Sequence, residues 1–127
     1  MVLMEERVRD MLQLIEEVDG IIKELTNQIK YEIKNFPNMS SEEINKATAK
    51  KNKLLDEYFK KESELKNNLS DLDEEQMELV DQSMVLMEER VRDMLKENKK
   101  LFSITNASLN TFKKIAEEMP KPKIRPV

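Results

Sequence analysis

Residues 4–29 read MEERVRDMLQLIEEVDGIIKELTNQI. Within them Met4, Val8, Met11, Ile15, Val18, Ile22, Leu25 and Ile29 recur in alternating steps of four and three. A repeat of about 3.5 residues marks a helix whose apolar seam lies along a neighbouring helix, as in a coiled coil or bundle. Leu12, Leu14, Ile21 and Ile33 widen the stripe on both flanks, which is what a helix touching two neighbours needs. Glu32 interrupts the seam near its end. Gly20 falls on the outer face, where a solvent-side glycine costs up to ~1 kcal/mol and is tolerated.

Working outward, this first helix is expected over 2–36. It should stop at Phe36-Pro37-Asn38, because proline disfavours helical geometry in the residue before it. Ser40, with Glu43 three residues on, forms a capping box for a second helix over 41–68. Its apolar side carries Ile44, Ala47, Leu54, Leu55, Tyr58, Phe59, Leu65 and Leu69. Lys51 and Lys61 occupy seam-like positions, and lysine stems can lie along apolar surface while their charges reach water. The acidic turn at 70–75 suits the positive end of a helix dipole.

A third helix is expected over 72–119. Its seam is Met77, Val80, Met84, Met87, Val91, Met94, Asn98, Leu101, Thr105, Ser108, Phe112, Ile115 and Met119. These spacings predict an all-α, elongated antiparallel three-helix bundle with short turns. At 1.5 Å per residue the third helix is roughly 70 Å long and the second roughly 40 Å. The stretch 101–119 should therefore project past the bundle. The proline-rich, basic tail 120–127 is expected to be disordered.

Composition agrees with this architecture and excludes several functions. The chain has 127 residues, of which 38% are charged and 39% apolar, with one glycine and no tryptophan. That is the balance of long helices with narrow apolar stripes. The net charge of −4 disfavours phosphate, so nucleic acid is not an expected partner. No apolar run is long enough to span a membrane, and no signal peptide is visible. Cysteine is absent, which fits a cytoplasmic protein. Without His or Cys, the usual triads and zinc sites lack their groups. Adjacent carboxylates such as Glu16-Glu17 and Glu88-Glu89 point apart around a helix and form no dyad. No cofactor, metal or enzymatic activity is expected.

One feature stands apart from the heptads. Residues 1–12 and 84–95 both read MVLMEERVRDML, in the same heptad register. Natural repeats diverge, so residues 1–10 read as an added or recently duplicated segment, ahead of a helical domain at 11–119 and the tail at 120–127. A functional reading stays open: the first copy competes with the second for its groove and promotes exchange between protomers, giving a swapped dimer.

The binding surface is expected on the third helix. Met77, Met84, Met87 and Met94 line one seam, and methionine packs adaptably against varied apolar partners, although plain core filling is the simpler reading. Beyond them Leu101, Phe102, Leu109, Phe112 and Ile115 form a stripe that cannot stay bare. A protomer, a fold-back of the chain or a client helix must cover it. Thr105 keeps the seam shallow, and Asn98 is a polar seam residue of the kind that sets register.

At these residues the chain resembles the flagellar type III export chaperones of the FlgN type. Lys51-Asn52-Lys53-Leu54-Leu55-Asp56-Glu57-Tyr58 is similar to that family's Lys-x-x-Leu-Leu-x-x-Leu pattern, with Tyr58 in place of the last Leu. Val91-Arg92-Asp93-Met94 with Asn98, Leu101 and Phe102 resembles its third-helix pattern, with Lys99 where the family often has Gly. The resemblance implies a cytosolic chaperone that masks C-terminal helices of hook–filament junction proteins before export. It implies a client surface at Asn98, Leu101, Phe102, Thr105, Leu109, Phe112 and Ile115. Such a protein should be a monomer or weak homodimer. The competing expectation is a structural coiled coil with its stripe buried permanently in a homo-oligomer.

Overall fold

A computed structural model describes residues 2–105, with side chains from 6 to 104, and residue 117. Helix α1 spans Val2–Asn35, α2 spans Ser41–Leu69 and α3 spans Glu74–Thr105. A single 3-10 turn, Phe36–Asn38, joins the first two. Three helices pack on one another and the described residues contain no strand, so the fold is an all-α bundle. None of the described helices is long and apolar enough to cross a membrane.

Local chemistry sets the ends. Pro37 sits in the 3-10 turn and closes off α1. The Ser40 hydroxyl accepts the Glu43 N–H at 3.2 Å and donates to the Glu43 carboxylate at 3.2 Å, opening α2. Helix α3 begins two residues later than the acidic turn implied. Asp73 is its cap: the Gln76 N–H donates to Asp73 Oδ1 at 2.8 Å, and Gln76 Oε1 accepts the Asp73 N–H at 3.0 Å. That reciprocal pair is a capping box with Asp and Gln in the two roles.

Helix α1 is the central element. Both α2 and α3 run closely along it, whereas the backbones of α2 and α3 approach one another less. The wide stripe explains this, since Met11, Leu14, Ile15, Val18, Ile22, Leu25 and Ile29 are all buried. Leu54, Leu55, Tyr58 and Leu65 from α2 complete the core with Val80, Met84, Met87, Val91, Met94 and Leu101 from α3. Methionine on this half of the α3 seam is therefore core.

Ion pairs fix direction and register. Lys51 meets Glu32 and Lys61 meets Glu17, so α2 runs antiparallel to α1. A second short turn reverses the chain again, which makes α3 parallel to α1. Arg90 Nη1 donates to Asp19 Oδ2 across that parallel pair, 71 residues away in sequence. Lys23, one turn on from Asp19, adds a longer contact at 3.6 Å.

Lys51 departs from its sequence reading. Its side chain is 5% exposed and does not reach water. The seam position and the break at Glu32 are one feature: the two charges face each other at 2.9 Å between α1 and α2. Desolvating an ammonium is tolerated here because a carboxylate is buried with it. Lys61 behaves as expected, with its stem on the surface and its amine on Glu17. That hydrogen bond, and then the Glu17 charge, raise the Lys61 pKa above its ordinary value.

Candidate functional site

The expected client surface divides into three parts. Asn98 and Leu101 lie inside the bundle, 3% and 1% exposed. Projection from residue 101 is thus not observed: Leu101 belongs to the same core as Ile29 and Leu54. The reason is the parallel register. At the Arg90–Asp19 offset, α1 still has residues to oppose 101–105. Helix lengths alone did not show this, because they carry no offset between α1 and α3. Phe102 is half-buried on the flank, and Thr105 is the last residue of α3. Leu109, Phe112 and Ile115 lie outside the described residues, as do the rest of the expected helix to 119, apart from residue 117, and the tail 120–127.

Asn98 occupies a seam position with its Oδ1 buried and without a hydrogen-bond partner among the described residues. A buried, unmatched carbonyl of this kind costs roughly 1–3 kcal/mol. The Arg90–Asp19 offset sets Asn98 near the level of Asn27 and Leu101 near that of Lys30. Asn98 and the Glu32–Lys51 pair are polar groups buried within the otherwise apolar interior. The Gln28 amide donates to the second Glu32 oxygen at 3.4 Å. Glu62, also buried, pairs with Lys66 at 2.7 Å, and its Oε2 is unmatched.

The surface carries few apolar side chains. Leu79 and Leu86, seven residues apart on α3, are 60% and 46% exposed. Leu12, Tyr31, Val85 and Ile104 are also exposed among the described residues. Between α1 and α3 runs a shallow groove lined by Ile22, Lys23, Thr26, Lys30, Arg90 and Asp93. Its walls are mixed in charge and bring together no nucleophile and base. On the other flank of α3, burial raises the Glu88 pKa; Arg92 opposes this and Asp81 adds to it.

Sequence reasoning missed the buried pair and the Asp73–Gln76 cap. Asp-x-x-Gln before an apolar run was the signal for the cap. Glu32 and Lys51 each broke a seam, and two breaks on adjacent antiparallel helices were the signal for the pair. No protein-family model matches this chain, and neither a curated protein nor a solved structure matches it.

Proposed function

We propose that this protein is a non-catalytic, helix-binding export chaperone of the flagellar type, acting in the cytoplasm on an amphipathic client helix. The observation that carries the reading is the register of α3 on α1. At the Arg90–Asp19 offset of 71 residues, α1 nears its end at Asn35 where the described part of α3 reaches Thr105. The sequence periodicity carries the apolar seam on to Leu109, Phe112 and Ile115, which lie outside the described residues. An apolar stripe continuing past its cover calls for a partner, and an amphipathic helix laid along it is a common solution. Masking of this kind needs no cofactor and no hydrolysis. It works by burying the client's apolar face until export.

Burial of Asn98 and Leu101 reassigns them. They hold α3 against α1, while Phe102, Leu109, Phe112 and Ile115 form the client face. The test is a calorimetric titration with C-terminal helices of hook–filament junction proteins, beside a Leu109→Glu, Phe112→Glu variant. Saturable binding that the variant loses supports the reading. A folded helical protein that binds none of them overturns it and leaves the homo-oligomeric coiled coil, to be sought in its solution mass.

A further inference from the structure

Helix α3 carries a second row besides its buried seam. From Leu79 through Gln82, Leu86, Glu89 and Asp93 to Lys96 the same three-four steps recur, and every one of these residues is exposed. Leu79, Val85 and Leu86 are the apolar side chains of this face, each at least 45% exposed. Charge is sorted along it. Glu75 and Glu78 stand at its start, and Lys96, Lys99 and Lys100 at its end. Glu75, Glu78, Lys96 and Lys99 make no ion pair among the described residues, while Lys100 meets Glu97 of its own helix at 3.2 Å, at the surface. A face that is acidic at one end, apolar near its middle and basic at the other is complementary to its own reverse.

We infer that this face of α3 docks on the same face of a second copy of the chain, antiparallel and about a two-fold axis. In such a pairing residue i meets residue j and j meets i, so each contact is made twice. Heptad packing with the axis between positions 87 and 88 sets Glu75 opposite Lys100 of the partner subunit, and Glu78 beside Lys99 of the partner subunit. Leu86 of the two copies meets about the axis. Leu79 falls under the stem of Lys96 of the partner subunit, whose amine reaches past it to water. A parallel pairing fails, because it sets Glu75 on Glu75 and Lys100 on Lys100. The repeated segment does not give α1 the same property. Val2 and Leu3 repeat Val85 and Leu86, but the positions matching Lys96, Lys99 and Lys100 are Gln13, Glu16 and Glu17. The basic end belongs to α3 alone of the two copies. The inference uses no residue beyond Lys100 and does not rest on the helix-binding reading above.

Sedimentation of the full chain tests it. At low salt the expected result is a dimer in equilibrium with monomer, weakened as salt screens its exposed charged ends. Leu86→Glu gives a monomer whose helical circular dichroism is unchanged, since Leu86 lies outside the core. Lys99→Glu with Lys100→Glu loosens the dimer by at least about tenfold. Adding Glu75→Lys and Glu78→Lys to that variant reverses both members of every pair and restores the dimer. Restoration also separates the two directions, because in a parallel dimer like charges would still face each other. A parent chain that stays monomeric at about 1 mM in low salt overturns the inference. So does a dimer that Leu86→Glu leaves intact, or a fourfold charge swap that stays helical and monomeric.

Discussion

Lys51→Met should be the most damaging single change outside the apolar core. Lys51 Nζ lies 2.9 Å from Glu32 Oε1, with the two side chains 5% and 7% exposed. Methionine keeps most of the stem volume, so packing changes little. What changes is the Glu32 carboxylate, which stays buried with only the 3.4 Å contact from Gln28. Removing one partner of a buried pair costs about 3–5 kcal/mol, because the remaining charge is uncompensated. For a chain of this size, that is a fall in Tm of roughly 10–20 °C. The double variant Glu32→Leu, Lys51→Met removes both charges and should return to within ~1 kcal/mol of the parent, or exceed it by up to ~4 kcal/mol. Lys61→Met is the control. Its contact with Glu17 has the same 2.9 Å length, but both side chains are well exposed, so stability should scarcely move. Urea unfolding followed by circular dichroism measures all four proteins, and an unchanged slope keeps the comparison valid. A single-variant loss under ~1 kcal/mol would refute the argument that burial, and not distance, sets the value of these pairs. So would a double variant as unstable as the single one.

Other outcomes follow from the same geometry. Gly20→Ala should stabilise the fold by roughly 0.5–1 kcal/mol in urea titration, since an added Cβ meets nothing within 4 Å and alanine is the better helix former. Leu101→Ala should cost about 2–5 kcal/mol whether or not a client is present, because Leu101 is core; thermal melts with and without client would give the same loss. Glu88 has a raised folded-state pKa, so in the folded state it binds protons over a window above the ordinary carboxylate value. Its contribution therefore favours folding at low pH and is lost as pH rises through the raised pKa. Glu88→Gln should be slightly more stable than the parent at neutral pH and should lose that advantage at acid pH, as paired melts across pH would record.

Much of this protein was legible in its sequence. The four-three spacing of Met11, Ile15, Val18, Ile22, Leu25 and Ile29 set an amphipathic helix, because side chains 3.5 residues apart must share a face. Pro37 and Ser40 marked the first corner for equally local reasons, a forbidden backbone geometry and a hydroxyl in reach of an orphan N–H. The absence of His and Cys excluded whole classes of chemistry before any fold was known. What stayed hidden was everything that depends on which residue faces which. Heptads repeat, so one seam can slide along another by seven residues and still match. Only the tertiary structure chose the offset that joins Arg90 to Asp19 and Lys51 to Glu32. That choice buried Lys51 instead of letting it reach water, and it drew Leu101 into the core instead of leaving it beyond the end. Periodicity determines a helix's buried face, since it is a property of one chain segment. Register is a property of two segments at once, and specific contacts between particular side chains decide it.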